Sequence, residues 1–210
     1  RTNGIAGFEA LVRWVDSDGI VHAPGQFLQL AGELGLLDGI ANLVLDELLE
    51  KLPLLDACFG RSLKYSLNIS PVQASKPEFM TEIACKIAAS GRSGNFMLEL
   101  TEESLLAAGV FQTEVLPLVR DMGIGISIDD FGTGFSSLSV LADITADELK
   151  IDRSFITSIH QRPRSQSILR AIESLSAALG ISVVAEGVET PQEHDYLLHK
   201  SGIGIGQGYL

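Results

Sequence analysis

The sequence predicts an α/β fold and, within that class, a (β/α)8 TIM-like barrel. Short β-like runs alternate with amphipathic helical stretches, and polar residues interrupt or end almost every run. Such alternation is typical of a parallel sheet covered by helices. A barrel assembles its site from the carboxyl ends of many strands, whereas an open doubly wound sheet concentrates its ligands at one switch point. The spread of polar residues therefore favours the barrel.

Seven runs are predicted to be strands, and amphipathic helices are predicted between most of them. The strands cover residues 8–14, 65–69, 96–100, 124–128, 148–151, 182–185 and 202–210. Examples of the helices are residues 24–37, 77–90, 113–122 and 165–179, the last with aliphatic residues at helical spacing. Glycines 91, 123, 180 and 202 each follow a helical stretch, where a left-handed cap is expected.

Composition and charge narrow the class of protein. The chain has 210 residues, of which 46% are hydrophobic, and it contains no linker-like tract, so we expect one domain over 1–210 with a full core. No apolar run approaches the roughly 20 residues of a membrane span, and no signal peptide opens the chain, which predicts a cytoplasmic domain. Cys58 and Cys85 are expected to be buried thiols. The net charge of −12, without a basic stripe, argues against DNA binding.

The adjacent pair Asp129-Asp130 is the most informative feature of the sequence. It follows an apolar run and precedes a glycine-rich loop. Neighbouring side chains of a regular strand point to opposite faces, so both carboxylates could reach one site only where the strand ends. Two close anions are unfavourable unless a positive charge lies between them. The pair therefore predicts a metal site with oxygen ligands.

Other polar residues at strand ends extend this prediction. If Glu9, Glu99 and Glu186 converge with the two aspartates at roughly 6 Å, the carboxylates repel by on the order of 30 kcal/mol in total. That exceeds the roughly 5–15 kcal/mol of a domain's stability, so several carboxylates must be protonated or divalent cations must bind. With the amide of Asn68, these ligands favour Mg²⁺ or Mn²⁺ over zinc. Two such ions would activate a water for attack on a phosphoester, with Lys150 orienting that water or neutralising charge on phosphorus.

Seven motifs run through the chain in a recognisable order. They are Glu-Ala-Leu (9–11), Leu-Asn-Ile-Ser (67–70), Glu-Leu-Thr-Glu (99–102), Asp-Asp-Phe-Gly-Thr-Gly-Phe-Ser-Ser-Leu (129–138), Leu-Lys-Ile-Asp (149–152), Ala-Glu-Gly-Val-Glu-Thr (185–190) and Gln-Gly-Tyr-Leu (207–210). In these motifs the chain resembles EAL domains, the cyclic-di-GMP phosphodiesterases. The resemblance covers essentially the whole chain, and seven motifs in order are far more specific than any one of them.

This resemblance implies a (β/α)8 barrel that hydrolyses cyclic di-GMP to linear 5′-pGpG with two divalent ions, Mg²⁺ or Mn²⁺. The implied catalytic residues are Lys150 and Glu186, the latter at or beside the second metal. The implied metal ligands are Glu9, Asn68, Glu99, Asp129 and Asp130. The implied substrate-binding residues are Leu11, Arg13, Gln207 and Glu189. Glu102 matches a glutamate that anchors the loop 131–138, whose conformation couples dimerisation and activity in the family.

The resemblance also implies binding partners, and the sequence differs from the family pattern at several places. We expect a homodimer, and we expect sensory or cyclase domains to be attached in a longer parent protein. Such a parent could be anchored in a membrane. The family has an extra strand before Glu-Ala-Leu and continues past Gln-Gly-Tyr-Leu, so the first barrel strand is expected to be missing and both ends trimmed. Phe135 replaces the usual tyrosine and Gly32 the usual glutamate, and neither removes a proposed ligand.

Two other functions stay open, together with simpler explanations for single residues. The barrel could be a catalytically inactive cyclic-di-GMP receptor, or an unrelated Mg²⁺-dependent barrel that acts on a sugar phosphate or a carboxylate. Retention of every proposed ligand and of the lysine favours the enzyme. The simpler explanations are turn-forming residues at Asp129-Asp130, Asn68 and Gln207, a solvated lysine at Lys150, a salt-bridge partner at Arg13, and helix-opening acids at Glu102, Glu186 and Glu189.

Overall fold

The computed structural model describes residues 4–102, 104, 109, 111–132 and 144–210. The chain divides into two compact units. Of the described residues, the first unit contains 4–99, 109 and 111–125, and the second contains 100–102, 104, 126–132 and 144–210. None of the described helices combines the length and the apolar composition that crossing a membrane requires.

The first unit contains the first strands of the predicted parallel sheet and a separate two-stranded hairpin. Its strands are β1 (Gly7–Ala10), β2 (Trp14–Val15), β3 (Val21–His22), β4 (Lys64–Ile69) and the first part of β5 (Phe96–Thr101). β1 pairs in parallel with β4, and Glu9 lies opposite Ser66. The predicted strand 8–14 is therefore too long, because β1 ends at Ala10 and Trp14 pairs with His22 in a separate antiparallel hairpin.

The helices of the first unit lie between these strands in the sequence. They are α1 (Leu28–Glu33), α2 (Leu37–Phe59), α3 (Pro71–Ala74), α4 (Pro77–Ala89) and α5 (Leu116–Asp121), the last preceded by a π-helical turn, Phe111–Val115. The predicted helix 24–37 is divided, because Pro24–Gln26 forms a 3-10 turn and Gly35 has a φ of 70° between α1 and α2. The predicted helix 77–90 is confirmed.

Helix α4 shows how the sequence builds the core of this unit. Its apolar residues recur at three- and four-residue spacing, which places them on one face of the helix. The buried residues are Phe79, Met80, Ile83, Ala84 and Ile87. Cys85 lies outside this buried set and is exposed, as is Cys58 near the end of α2. The prediction of two buried thiols is therefore wrong, because both cysteines fall on the solvent-facing sides of their helices.

The second unit also contains parallel strands. Its strands are the end of β5, β6 (Gly125–Phe131), β7 (Glu148–Ile151), β8 (Ser182–Ala185) and β9 (Ile205–Gly206). The first residue of β6, Gly125, belongs to the first unit. The helices of the second unit are α6 (Arg153–Ile156), α7 (Pro163–Leu179) and α8 (Pro191–Lys200). The pairs β6–β7, β7–β8 and β8–β9 are all parallel. The predicted strand 202–210 is much shorter in the structure. The predicted strand 124–128 extends to Phe131, which places both aspartates inside β6.

The ends of the helices follow their sequence signals with one exception. Gly91, Gly123 and Gly180 have the predicted positive φ. At the end of α8, however, Ser201 is extended, and Gly202 has no positive φ; its N–H donates to Glu173 at 2.6 Å. The predicted left-handed cap at Gly202 is therefore wrong, because a side chain and not a turn fixes the chain there.

The order of the strands distinguishes the two predicted architectures. In the first unit the order is β1-β4-β5, and in the second it continues from β5 through β6, β7 and β8 to β9. Among the described strands this order has no reversal and hence no switch point of the doubly wound kind. Parallel strands in chain order, joined by helices, are the arrangement of a (β/α) barrel.

Candidate active site

The paired aspartates depart from regular strand geometry. The pairing of β6 with β7 is irregular between Ile128 and Phe131, and Asp130 has a left-handed backbone with a φ of 54°. In a regular strand the two side chains would point to opposite faces of the sheet. Bulges and unusual backbone angles re-aim side chains and are frequent next to active sites. The irregularity therefore allows two consecutive carboxylates to join one cluster.

Asp129, Asp130 and Glu186 form an acidic cluster. One oxygen of each carboxylate lies within 4.8 Å of those of the other two, with Asp130 exposed and the others half-buried. Glu186 directly follows β8, and its backbone N–H donates to the carbonyl of Ile151 at 3.0 Å, which ties it to the end of β7. Three carboxylate oxygens at this spacing suit a hard divalent cation.

Lys150 lies in β7 and extends into this cluster. Its side chain is 3% exposed, and its Nζ lies 2.8 Å from Glu186 Oε1 and 3.2 Å from Asp129 Oδ1. The Asp129 oxygen is buried, and although it pairs with the ammonium it accepts no hydrogen bond of good geometry from the described residues. The simpler explanation of a solvated lysine is therefore wrong.

The charge of Lys150 offsets the repulsion within the acidic cluster. At an effective dielectric of about 20, unit charges 4.8 Å apart repel by about 3.5 kcal/mol, so three carboxylate pairs amount to about 10 kcal/mol. The two contacts of the ammonium attract by about 5–6 kcal/mol each on the same scale. A divalent cation bound to the same carboxylates would reduce the remaining repulsion between them.

Glu102 contacts the beginning of the loop that follows the paired aspartates. Its side chain is buried, and Oε1 accepts a hydrogen bond from the N–H of Gly132 at 2.9 Å. Gly132 has a φ of 100°, and a Cβ there would lie 2.6 Å from the ring of Phe155. If Glu102 anchors the loop, it does so through this hydrogen bond to Gly132. The rest of the predicted loop, residues 133–138, lies outside the described residues.

Gln207 lies beside the segment that carries Glu186. Its backbone N–H donates to Ala185 at 2.8 Å, and its carbonyl accepts from the N–H of Val188 at 3.0 Å. The next residue, Gly208, is so close that a Cβ would lie 2.0 Å from the carbonyl oxygen of Val188. The half-buried Gln207 is thus fixed against the loop after β8.

The first unit holds a second group of candidate ligands. Asn68 Nδ2 donates to Glu9 Oε1 at 2.7 Å, so the two residues on neighbouring strands β1 and β4 are in direct contact. Glu99 lies in β5 and is 2% exposed. The carboxylate and amide oxygens of these three side chains are of the type that binds Mg²⁺ or Mn²⁺.

Leu11, Arg13 and Glu189 are exposed. Leu11 is 50% exposed just after β1, and Arg13 donates only to the carbonyl of Val12 at 2.8 Å. Arg13 forms no ion pair in the described part of the chain, which removes the salt-bridge explanation there. Glu189 precedes the N-cap residue Thr190, so it is not a first-turn acid of α8.

The acid in that first turn is Glu193, which the sequence analysis did not single out. It is 4% exposed and accepts hydrogen bonds from the backbone N–H groups of Ser158, Glu189 and Thr190. The run Thr-Pro-Gln-Glu at 190–193 is a capping-box sequence, which could have identified its local contacts.

The comparisons with known proteins agree with the fold. The family model described as EAL domain matches residues 1–210. An uncharacterised signalling protein of Caulobacter vibrioides is 36% identical over 190 residues, which are 90% of this chain and 23% of the relative. A probable cyclic di-GMP phosphodiesterase, PdeG, of Escherichia coli is 32% identical over 210 residues, which are 100% of this chain and 41% of the relative.

A solved structure described as the PaMucR phosphodiesterase in complex with c-di-GMP has a TM-score of 0.87 and 34% identity, and the match covers 97% of this chain and 82% of that one. EAL domains are TIM-like barrels, so the predicted fold class is confirmed. The chain spans less than half the length of the two curated relatives. By the family match over its whole length, the chain belongs to the EAL domain family.

Proposed function

We propose that the chain hydrolyses cyclic di-GMP to linear 5′-pGpG with two divalent cations, Mg²⁺ or Mn²⁺. The observation that carries the proposal is the buried ammonium of Lys150 between Asp129 and Glu186, in a cluster of three carboxylates that could hold a cation. The relative named as a probable cyclic di-GMP phosphodiesterase and the related complex with c-di-GMP support the choice of substrate.

The residues present fit divalent cations by chemistry. Asp129 Oδ1 is a buried oxygen that lacks a well-formed hydrogen bond within the described part of the chain, as expected of an atom that coordinates a cation. The proposal assigns metal binding to Glu9, Asn68, Glu99, Asp129 and Asp130, with Glu186 beside the second ion. Bound ions of this type polarise a phosphodiester and lower the pKa of a coordinated water.

Lys150 and Glu186 are proposed to act together. The ammonium of Lys150 can donate hydrogen bonds to an attacking water or to the phosphoryl oxygens, on which negative charge increases in the transition state. Glu186 holds that ammonium in place, because its Oε1 is only 2.8 Å from Nζ. A lysine with only 3% of its side chain exposed is also fixed by packing, so its donor is preorganised.

The remaining site residues are proposed to bind the dinucleotide. Arg13 is exposed and without an ion pair in the described part of the chain, and guanidinium groups match phosphate geometry. Leu11 offers an exposed apolar surface to a base, and Gln207 and Glu189 offer hydrogen-bonding groups. Because the chain has a net charge of −12, an anionic substrate depends on such local cations.

A turnover assay tests the proposal. The chain is incubated with cyclic di-GMP and either Mg²⁺ or Mn²⁺, and pGpG is measured by chromatography. We expect Glu9→Ala and Asp129→Ala to abolish turnover and weaken metal binding. Lys150→Ala should lower kcat by about 10²–10³ and leave metal binding largely intact. The matched control is Lys51→Ala, which removes an exposed lysine that pairs only with Glu47 four residues away.

The same assay separates the two alternative functions. Binding of cyclic di-GMP without any pGpG would overturn the enzyme and support a receptor. Failure to bind the dinucleotide at all would overturn both, and would favour a barrel that acts on another phosphate or carboxylate. Wild-type rates in Lys150→Ala would refute its catalytic role.

The proposal includes a homodimer that is part of a longer protein. The relatives are longer than this chain, which supports attached sensory or cyclase domains. The hydrogen bond from Gly132 to Glu102 supports an anchor for the loop after the aspartates. Glu102→Ala should alter kinetics or loop order; if it changes neither, the anchoring role is wrong.

A further inference from the structure

We infer that Glu193 is a positioning residue that joins the segment after β7 to the segment after β8, and thereby sets the contact between Lys150 and Glu186. This inference rests on the proposed function. Glu193 lies outside the acidic cluster, and it acts through these two residues, one at the end of each strand.

The carboxylate of Glu193 is buried and fully engaged by backbone donors. Oε1 accepts from the N–H of Ser158 at 2.7 Å, and Oε2 accepts from Glu189 at 3.1 Å and Thr190 at 3.0 Å. Burial alone would raise the pKa of Glu193, but these hydrogen bonds hold it below its usual value. The residue therefore carries its charge at neutral pH, and charged acceptors form the stronger hydrogen bonds.

The two oxygens serve different purposes. The contacts of Oε2 are local: the one with Thr190 belongs to the capping box of α8, and Glu189 is the residue before that N-cap. The contact of Oε1 is long-range, because Ser158 is 35 residues away in the sequence. Ser158 has a left-handed backbone with a φ of 54°, a conformation that a non-glycine residue keeps only when its surroundings hold it. The Oε1 contact is therefore more than a helix cap.

The same two segments are in close contact near the active site. The N–H of Glu186 donates to Ile151 at 3.0 Å, and a Cβ on Gly187 would lie 2.4 Å from the Cβ of Arg153. Packing this tight transmits a displacement of one segment to the other. Since misplacement of a catalytic group by about 1 Å can reduce a rate about 100-fold, the geometry at Lys150 is sensitive to the Glu193 contact.

Glu193→Gln separates the two contacts. A glutamine has one acceptor oxygen, which we expect to face the two donors of Glu189 and Thr190 and so to preserve the cap. Its NH2 group then faces the N–H of Ser158, and that contact is lost. The matched control is Thr190→Ala, which removes the hydroxyl that accepts from the N–H of Glu193 at 3.3 Å and leaves the carboxylate in place.

We expect Glu193→Gln to lower kcat by about 10- to 100-fold with KM for cyclic di-GMP within about twofold, and to speed hydrogen exchange at the amide of Ser158. Thr190→Ala should lower the melting temperature while kcat stays at the wild-type value. Wild-type kcat in Glu193→Gln would overturn the inference, and so would an equal loss of kcat in both variants. If the wild type has no turnover, the proposed function fails, but the positioning role can still be tested. Hydrogen exchange at the amide of Ser158 and the affinity for Mn²⁺ are then compared between wild type and Glu193→Gln, and no change in either quantity overturns the positioning role.

Discussion

Replacing Lys150 with methionine tests the electrostatics of the acidic cluster independently of turnover. The variant keeps most of the aliphatic volume but removes the ammonium, which lies 2.8 Å from Glu186 and 3.2 Å from Asp129. The three side chains are 3%, 18% and 16% exposed, so water replaces the lost charge only in part. Removal of one partner from a buried ion pair reduces stability by about 3–5 kcal/mol. Because the carboxylates keep some solvent, we expect a loss of about 2–4 kcal/mol.

Thermal unfolding in EDTA measures this loss without a contribution from bound metal. For a chain of this size it corresponds to a fall in Tm of roughly 4–16 °C. Saturation with Mn²⁺ should restore much of it, because a cation at a hundred times its Kd stabilises by about 2.7 kcal/mol. Lys51→Met, on the surface, should change stability by less than about 1 kcal/mol. A Tm of Lys150→Met within about 2 °C of the wild type in EDTA would show that the ammonium does not hold these carboxylates together.

Three further variants test separate features. Asp130→Asn should keep the fold, because asparagine tolerates the left-handed backbone, but should lower Mn²⁺ affinity at least about tenfold in calorimetric titration; unchanged affinity would exclude Asp130 as a ligand. Gly208→Ala should reduce stability by about 1–3 kcal/mol and reduce turnover, since its Cβ would meet the carbonyl oxygen of Val188, whereas Gly204→Ala, with nothing within 4 Å, should change neither. The pKa of Glu193 is lowered by hydrogen bonds in spite of burial, so its contribution to stability is present at neutral pH and is lost as the pH falls through that lowered value. Unfolding titrations should therefore show the difference in stability between wild type and Glu193→Gln shrink as the pH falls below the ordinary pKa of a glutamate, and a difference that grew instead would contradict this sign.

The parts of the fold with strong local patterns could be predicted. Helix α4 has apolar residues at helical spacing, and its predicted and observed bounds agree to within one residue. Strands β7 and β8 are short runs with clear boundaries and match their predicted ranges. The sequence also placed Lys150 among the acidic strand ends, where a lysine has anions to pair with, although it did not predict that the side chain is buried.

Features that depend on tertiary packing could not be predicted. Helix α2 contains Pro53, which local rules treat as a helix breaker, yet it continues through 23 residues because it packs on β4 and α4. The irregular pairing of β6 depends on its neighbour β7, so the sequence indicated that Asp129 and Asp130 meet only by placing them at a strand end. The link between Glu193 and Ser158 joins distant segments, and no local pattern signals it.

The exposure of both thiols affects any determination of subunit number. Cys58 and Cys85 are free and face solvent, so copies of the chain that meet during storage in air can be joined through a covalent cross-link. Such an artefact would have the mass of two chains and would imitate an authentic dimer in size-exclusion chromatography. Light scattering of the wild type with a reductant, or of a variant with serine at both positions, distinguishes a non-covalent assembly from this oxidation product.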